Sequence, residues 1–118
     1  MGEPIDGFSE RRGRGNELLL ASGNLGIKRF FALDERAYDP GALDARTKEL
    51  LGLVASMVLR CDDCVTYHLA KCVEHGLGDD AIFEAVNVAL VVGGSIVIPH
   101  ARRAAETLGE IRGVSPAR

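Results

Sequence analysis

The chemistry this chain could perform is concentrated in Leu59-Arg60-Cys61-Asp62-Asp63-Cys64-Val65-Thr66-Tyr67-His68. Cys61 and Cys64 stand three apart, close enough on one helical turn to join as a disulfide after a small adjustment. His68 follows Cys64 by four, on the same face and one turn further along. There it can accept the Cys64 thiol proton and leave a nucleophilic thiolate. A cysteine in the first turn of a helix is also favoured as thiolate by the exposed backbone N–H groups. These features point to a reactive dithiol.

Glu49 can complete a proton relay on one condition. On a continuous helix it would stand about 18 Å from Cys61, out of reach. A reversal of the chain near Arg60 would set two helices antiparallel and bring Glu49 to the His68 turn. A carboxylate there could orient the imidazole or pass protons through a water. Without the reversal Glu49 is an ordinary surface residue.

Other chemistry-bearing residues have plainer readings. Cys61, Cys64, His68 and Cys72 are the right types for zinc, but four groups strung along one helix face cannot easily surround a tetrahedral ion. Neither a metal nor a cofactor is expected. Cys72 reads as a packed core thiol, with a reserve resolving role as the alternative. His75 suits a helix C-terminus. His100 reads as structural or as part of a subunit contact, and Tyr67 is expected to point away from Cys64 and His68. Asp62 and Asp63 put negative charge beside both thiols, which Arg60 partly offsets, and they can also cap the helix.

The elements that must position these residues read as helices. Asp44 is a good N-cap for a helix to about Leu59 with Leu50, Leu53, Val54, Met57 and Val58 on its apolar face. The next helix starts near Cys61 or Asp62 and reaches His75, with Gly76 as C-cap and Leu69, Val73 and Val65 facing inward. Asp79 or Asp80 opens another, carrying Ile82, Phe83, Val86, Leu90 and Val91, which Gly93-Gly94 breaks. Pro99 fits the first turn of a last helix with Ala101, Ala104, Ala105 and Leu108. Upstream, Ile27, Phe30, Phe31 and Leu33 predict a short amphipathic helix packed by its aromatic face and ended by Pro40-Gly41. The Val and Ile content from Val86 to Ile98 could form two short strands, but a lone hairpin would be marginal, so the all-α reading stands.

At 118 residues the chain is one domain, short enough for subunit contacts to help its modest core. Residues 1–16, rich in Gly and charge, read as a flexible N-terminal tail, 17–112 as the helical domain and 113–118 as a C-terminal tail. A formal net charge of -3 argues against a nucleic-acid partner. No secretory leader is visible in residues 1–26, and the uncharged stretch Ala85–Ala101 is too short and interrupted for a membrane span. Three unevenly placed cysteines do not make a secreted disulfide framework, so a cytoplasmic location is expected.

Lys48-Glu49-Leu50 leading into Cys61-x-x-Cys64-x-x-x-His68, followed by Gly76, Asp79-Asp80, an aliphatic segment and Gly93-Gly94, resembles the carboxymuconolactone decarboxylase-like family, in its alkylhydroperoxidase AhpD-like branch. The resemblance covers roughly residues 25–110. It implies an all-helical AhpD-like fold with the CxxC motif at the start of a core helix, assembled as homo-oligomers, trimers or hexamers. It makes Cys64 the buried peroxidatic cysteine, activated by His68 through Glu49, and Cys61 the more exposed resolving cysteine. The implied substrate is a small hydroperoxide, and electrons come from a thiol or lipoyl reductant protein. Asp63 departs from the pattern, since AhpD has a second histidine there. Decarboxylating members generally lack the cysteine pair. Besides the peroxidase, the sequence therefore leaves open a general thiol–disulfide oxidoreductase acting on protein or lipoyl disulfides, a decarboxylase, and a non-catalytic or metal-binding helical oligomer.

Overall fold

The computed structural model describes residues 5–113, which form six α-helices and no strand. The order is α1 (Ile5–Ala21), α2 (Leu25–Ala37), α3 (Ala45–Val58), α4 (Asp62–Glu74), α5 (Asp79–Gly93), a single 3₁₀ turn (Ser95–Val97) and α6 (Ile98–Arg112). The chain divides into two units, one up to Pro40 and one from Gly41 onward.

In the first unit the structure corrects two expectations. Residues 5–16, read as a tail, are helical and run without a break into Leu18–Leu20. Asp6 lies in the first turn, where it complements the helix dipole, Glu10 and Arg14 have the i,i+4 spacing of a stabilising pair, and Phe8 is buried. The remaining tail residues, 1–4 and 114–118, lie outside the described residues. The aromatic face of α2 is only partly covered: no α2 residue is fully buried, Ile27 and Phe31 are half-buried, and Phe30 and Leu33 are exposed. Periodicity identifies an apolar stripe but not what covers it.

The second unit holds the core. Leu53 and Met57 of α3, Leu69 and Cys72 of α4, Ile82 and Ala89 of α5, and Val97 interlock with little or no exposed surface. The α3 N-terminus is fixed by Asp44, whose Oδ1 accepts from the Thr47 N–H at 2.8 Å. That bond to the Thr47 backbone holds the Asp44 carboxyl below its usual range. At the other end Cys61 N–H donates to Ser56 O and Arg60 N–H to Met57 O, both at 3.0 Å, the bond pair of a Schellman cap. Arg60 occupies the left-handed position of that cap, φ 62°, where glycine is usual. The cap reverses the chain within three residues, so α3 and α4 form a helical hairpin.

Helix α4 closes similarly at His75-Gly76, and Gly76 has φ 80°. Helix α5 keeps its helical course through its β-branched residues as far as Gly93, so the competing strand reading fails. Gly94, at φ 84°, ends it and admits the tight turn before α6. The far end of α6 is tied back by Arg112, which donates to Asp79 Oδ1 at 2.5 Å and to the Leu77 carbonyl at 2.8 Å. None of the helices among the described residues is long and apolar enough to cross a membrane.

Candidate active site

The site is built across the α3–α4 hairpin. Cys61 is the N-cap of α4 and Cys64 lies in its first turn; the two form a disulfide with Cα atoms 5.3 Å apart. The Cys64 N–H points at Cys61 Sγ, 3.2 Å away, so the sulfur stands where a capping oxygen usually does. One turn on, His68 is buried, and its Nδ1 lies 2.8 Å from Oε1 of buried Glu49. The hairpin thus meets the condition that Glu49 required, and all four predicted residues share one region of the fold. A carboxylate opposite Nδ1 favours the Nδ1–H tautomer and leaves Nε2 as the nitrogen for proton exchange.

Three features differ from the sequence reading. Cys64 is exposed in this chain and Cys61 only half-buried, the reverse of the burial order implied by the resemblance. Cys61 is held in the cap between α3 and α4, whereas Cys64 emerges on the next turn. Tyr67 does not turn away from the site: its ring meets the His68 ring edge-on, with centroids 5.2 Å apart and planes at 73°. Adjacent residues diverge by about 100° around a helix, but a long aromatic side chain can swing back over that angle. Asp62, finally, is neutralised by α6 and not chiefly by Arg60. His100 Nδ1 lies 2.7 Å from Asp62 Oδ1, and Arg103 donates to Asp62 Oδ2 at 3.1 Å.

That Asp62–His100–Arg103 cluster was absent from the sequence reading of the site. His100 and Arg103 lie 38 and 41 residues from Asp62, and an acidic first turn is already complemented by the helix dipole, so no local signal pointed to these partners. Cys72 is fully buried, and burial, with the Glu49 charge adding to it, pushes its thiol up to about 11. It is a protonated core thiol near neutral pH. Among the described residues no three His, Cys, Asp or Glu side chains are grouped to hold a metal ion.

The profile of the carboxymuconolactone decarboxylase family matches residues 27–107, more than half of the chain. The chain belongs to that family. The AhpD-like fold of this family member is shared by solved structures. TM1620 from Thermotoga maritima is 60% identical, superimposes with a TM-score of 0.88, and the match covers 90% of this chain and 93% of that one. For TM1620 a part in the antioxidative response has been suggested. A carboxymuconolactone decarboxylase family protein from Legionella pneumophila shares the fold at a TM-score of 0.78, over 95% of this chain and 97% of its own, with 22% identity. Among curated sequences, a protein of the cox locus of Paracoccus denitrificans is 33% identical over 71% of this chain and 76% of its own length. Alkyl hydroperoxide reductase AhpD of Anaeromyxobacter is 35% identical over 55% of this chain, which is 31% of that enzyme.

Proposed function

We propose that this family member is a dithiol oxidoreductase that reduces hydroperoxides. The observation that carries the reading is the Cys61–Cys64 disulfide at the N-terminus of α4, one turn from an imidazole held by a buried carboxylate at 2.8 Å. In the reduced protein His68 Nε2 takes the Cys64 thiol proton. The thiolate attacks the terminal peroxide oxygen, the O–O bond breaks, and Cys64 becomes a sulfenic acid. The departing alkoxide takes the proton back and leaves as alcohol. Cys61, as thiolate, then attacks the Cys64 sulfur, expels the hydroxyl as water with one proton, and closes the disulfide. A dithiol donor, such as a lipoylated protein, returns two electrons and two protons and is itself oxidised to a disulfide. Exposure of Cys64 suits it to meet the peroxide, and Glu49 stabilises the imidazolium formed in the first step.

A second reading keeps the exchange chemistry and replaces the peroxide with a protein or lipoyl disulfide. The exposed Cys64, open to a large partner, favours it. Either reaction needs a reducing compartment to keep the pair cycling, consistent with a cytoplasmic setting. Assembly with further copies of the chain is part of the proposal. Leu50, Leu51, Val54, Val58, Val88 and Val92 line most of an apolar groove of about 550 Å³ between α3 and α5, and Leu51, Val88 and Val92 are left exposed there for a second copy to cover.

Intact mass followed over time, after one equivalent of an organic hydroperoxide is added to reduced protein, tests the peroxidase. Loss of two hydrogens, mapped to Cys61 and Cys64 and abolished by C64S, is the expected result, and C61S should trap the sulfenic acid. Slow oxidation scattered over all three cysteines would reject the peroxidase and turn the assay to disulfide substrates.

A further inference from the structure

Gly52 sits in the middle of α3, one turn after Glu49, where a glycine weakens a helix relative to alanine. The site supplies a reason for it. A Cβ built on Gly52 would lie 2.6 Å from Cε1 of His68, 2.8 Å from Nε2 and 2.9 Å from Nδ1. Nearly equal distances to three ring atoms mean that the imidazole lies face-on across the glycine. No methyl group fits in that space. The ring cannot easily retreat either, since Glu49 holds its Nδ1 and the Tyr67 ring stands edge-on to it.

We propose that Gly52 is a positioning residue of the dithiol site. Its missing side chain lets the His68 imidazole lie against α3 with Nδ1 on Glu49 and Nε2 turned to the service of Cys64. The proposal rests on the dithiol reading above. Any side chain at 52 must push the ring off the helix, lengthen the Nδ1–Oε1 bond and misalign the nitrogen that takes the thiol proton. Glu49 and Gly52, three residues apart on α3, act as one cradle: the first orients the ring and the second makes room for it.

The test turns on a sign. Replacing a mid-helix glycine by alanine raises stability where the added methyl group has room. G52A is expected to lower the melting temperature of the wild-type protein. It is expected to raise it in an E49Q/H68A background, where the ring and the buried charge are gone and the methyl group enters vacated space. A rise in both backgrounds would overturn the proposal. So would a fall in both, because the clash would then not be with the ring. If G52A alone fails to fold, recovery of folding in the triple variant supports the proposal, and failure there counts against it.

Two further measurements separate positioning from mere packing. In two-bond ¹H–¹⁵N spectra the His68 imidazole signals of G52A should move toward those of E49Q; unchanged signals would refute the displaced ring. The rate at which reduced Cys64 reacts with hydroperoxide should fall in G52A to within about threefold of the H68A rate. A wild-type rate in G52A beside a slow H68A would overturn the role given to Gly52 alone. A wild-type rate in H68A would instead reject the relay in the dithiol reading, while the melting and imidazole data still decide whether Gly52 seats the ring.

Discussion

Replacing Glu49 by glutamine isolates the charge of the relay from its shape. Glu49 is 4% exposed and His68 8%, so little water screens the contact, and their 2.8 Å separation is that of a strong hydrogen bond. A hydrogen bond to a charged group contributes about 1.5–3 kcal/mol, and a neutral one about 0.5–1.5 kcal/mol. Glutamine keeps a carbonyl that can accept from Nδ1–H, so the loss is the difference, about 1–2 kcal/mol. If that difference is felt when the imidazole becomes cationic, E49Q slows oxidation of Cys64 about five- to thirtyfold, at 1.4 kcal/mol per tenfold. E49A, which removes the acceptor as well, should be slower still.

The assay is stopped-flow oxidation of pre-reduced protein by an organic hydroperoxide, in a C72A background so that only the site thiols report. Circular dichroism and melting curves on the same samples exclude unfolding. Cys72 provides an internal control in the protein that retains it. Glu49 is the lesser of two causes holding that thiol at about 11, so E49Q should lower its value while burial keeps it above 9.0. A folded E49Q protein that shows this shift and yet oxidises within twofold of wild type would refute the relay, since the charge would be demonstrably gone and catalytically irrelevant.

Cys72 also predicts an alkaline weakness. Its folded value of about 11 lies above the ordinary 9.0, so the folded thiol holds its proton where the unfolded one has lost it. The stability is complete below about pH 9 and falls as pH rises toward 11, by about 2–3 kcal/mol. Urea titrations of the oxidised protein at pH 8.5 and 10.5 span most of this loss, and C72A should lose less by about 1.5–2 kcal/mol across that window; parallel losses would exclude Cys72 as its source. R60G relieves the left-handed strain at φ 62° and should raise stability by about 0.5–1 kcal/mol after the flexibility of glycine is discounted, read as a melting-temperature rise of a few degrees. An unchanged or lower melting temperature would mean that the Arg60 side chain contributes more than the strain costs. V88E puts a charge into the apolar α3–α5 groove and should dissociate an assembly to monomers by light scattering, whereas an unchanged mass would place any interface elsewhere.

Local signals in the sequence carried most of the second unit. Asp44 before an apolar repeat, Gly76 after one, and Pro99 in a first turn are each read from a few neighbouring residues, and α3, α4 and α6 follow them closely. The long aliphatic run was decided by the same reasoning, since two isolated short strands have no sheet in which to satisfy their backbone. Residues 5–16 failed that treatment. Gly13 and Gly15 and a dense charge pattern argue against order, yet the helix propagates through both glycines, because extending an existing helix is far easier than nucleating one. Composition carries no information about that continuity.

The site was legible wherever helix geometry alone related its parts, as it does Cys61, Cys64 and His68. Glu49 needed one further fact, that the break at Arg60 turns the chain back, and nothing local marked it because the left-handed residue is an arginine and not the usual glycine. Asp62 shows the limit more sharply. Seen locally, an acidic residue beside a thiol opposes the thiolate; seen in the fold, His100 and Arg103 arrive from α6 and cancel that charge. Glu49 with His68 and Asp62 with His100 then make two carboxylate–imidazole contacts at 2.8 and 2.7 Å. They differ in a way that matters for mechanism. The first is buried, where a charge has large effect, while Asp62 is close to half exposed and water weakens its influence on Cys61. Under the proposed mechanism the buried pair is the one suited to control a proton transfer, and the sulfur it is proposed to serve is Cys64.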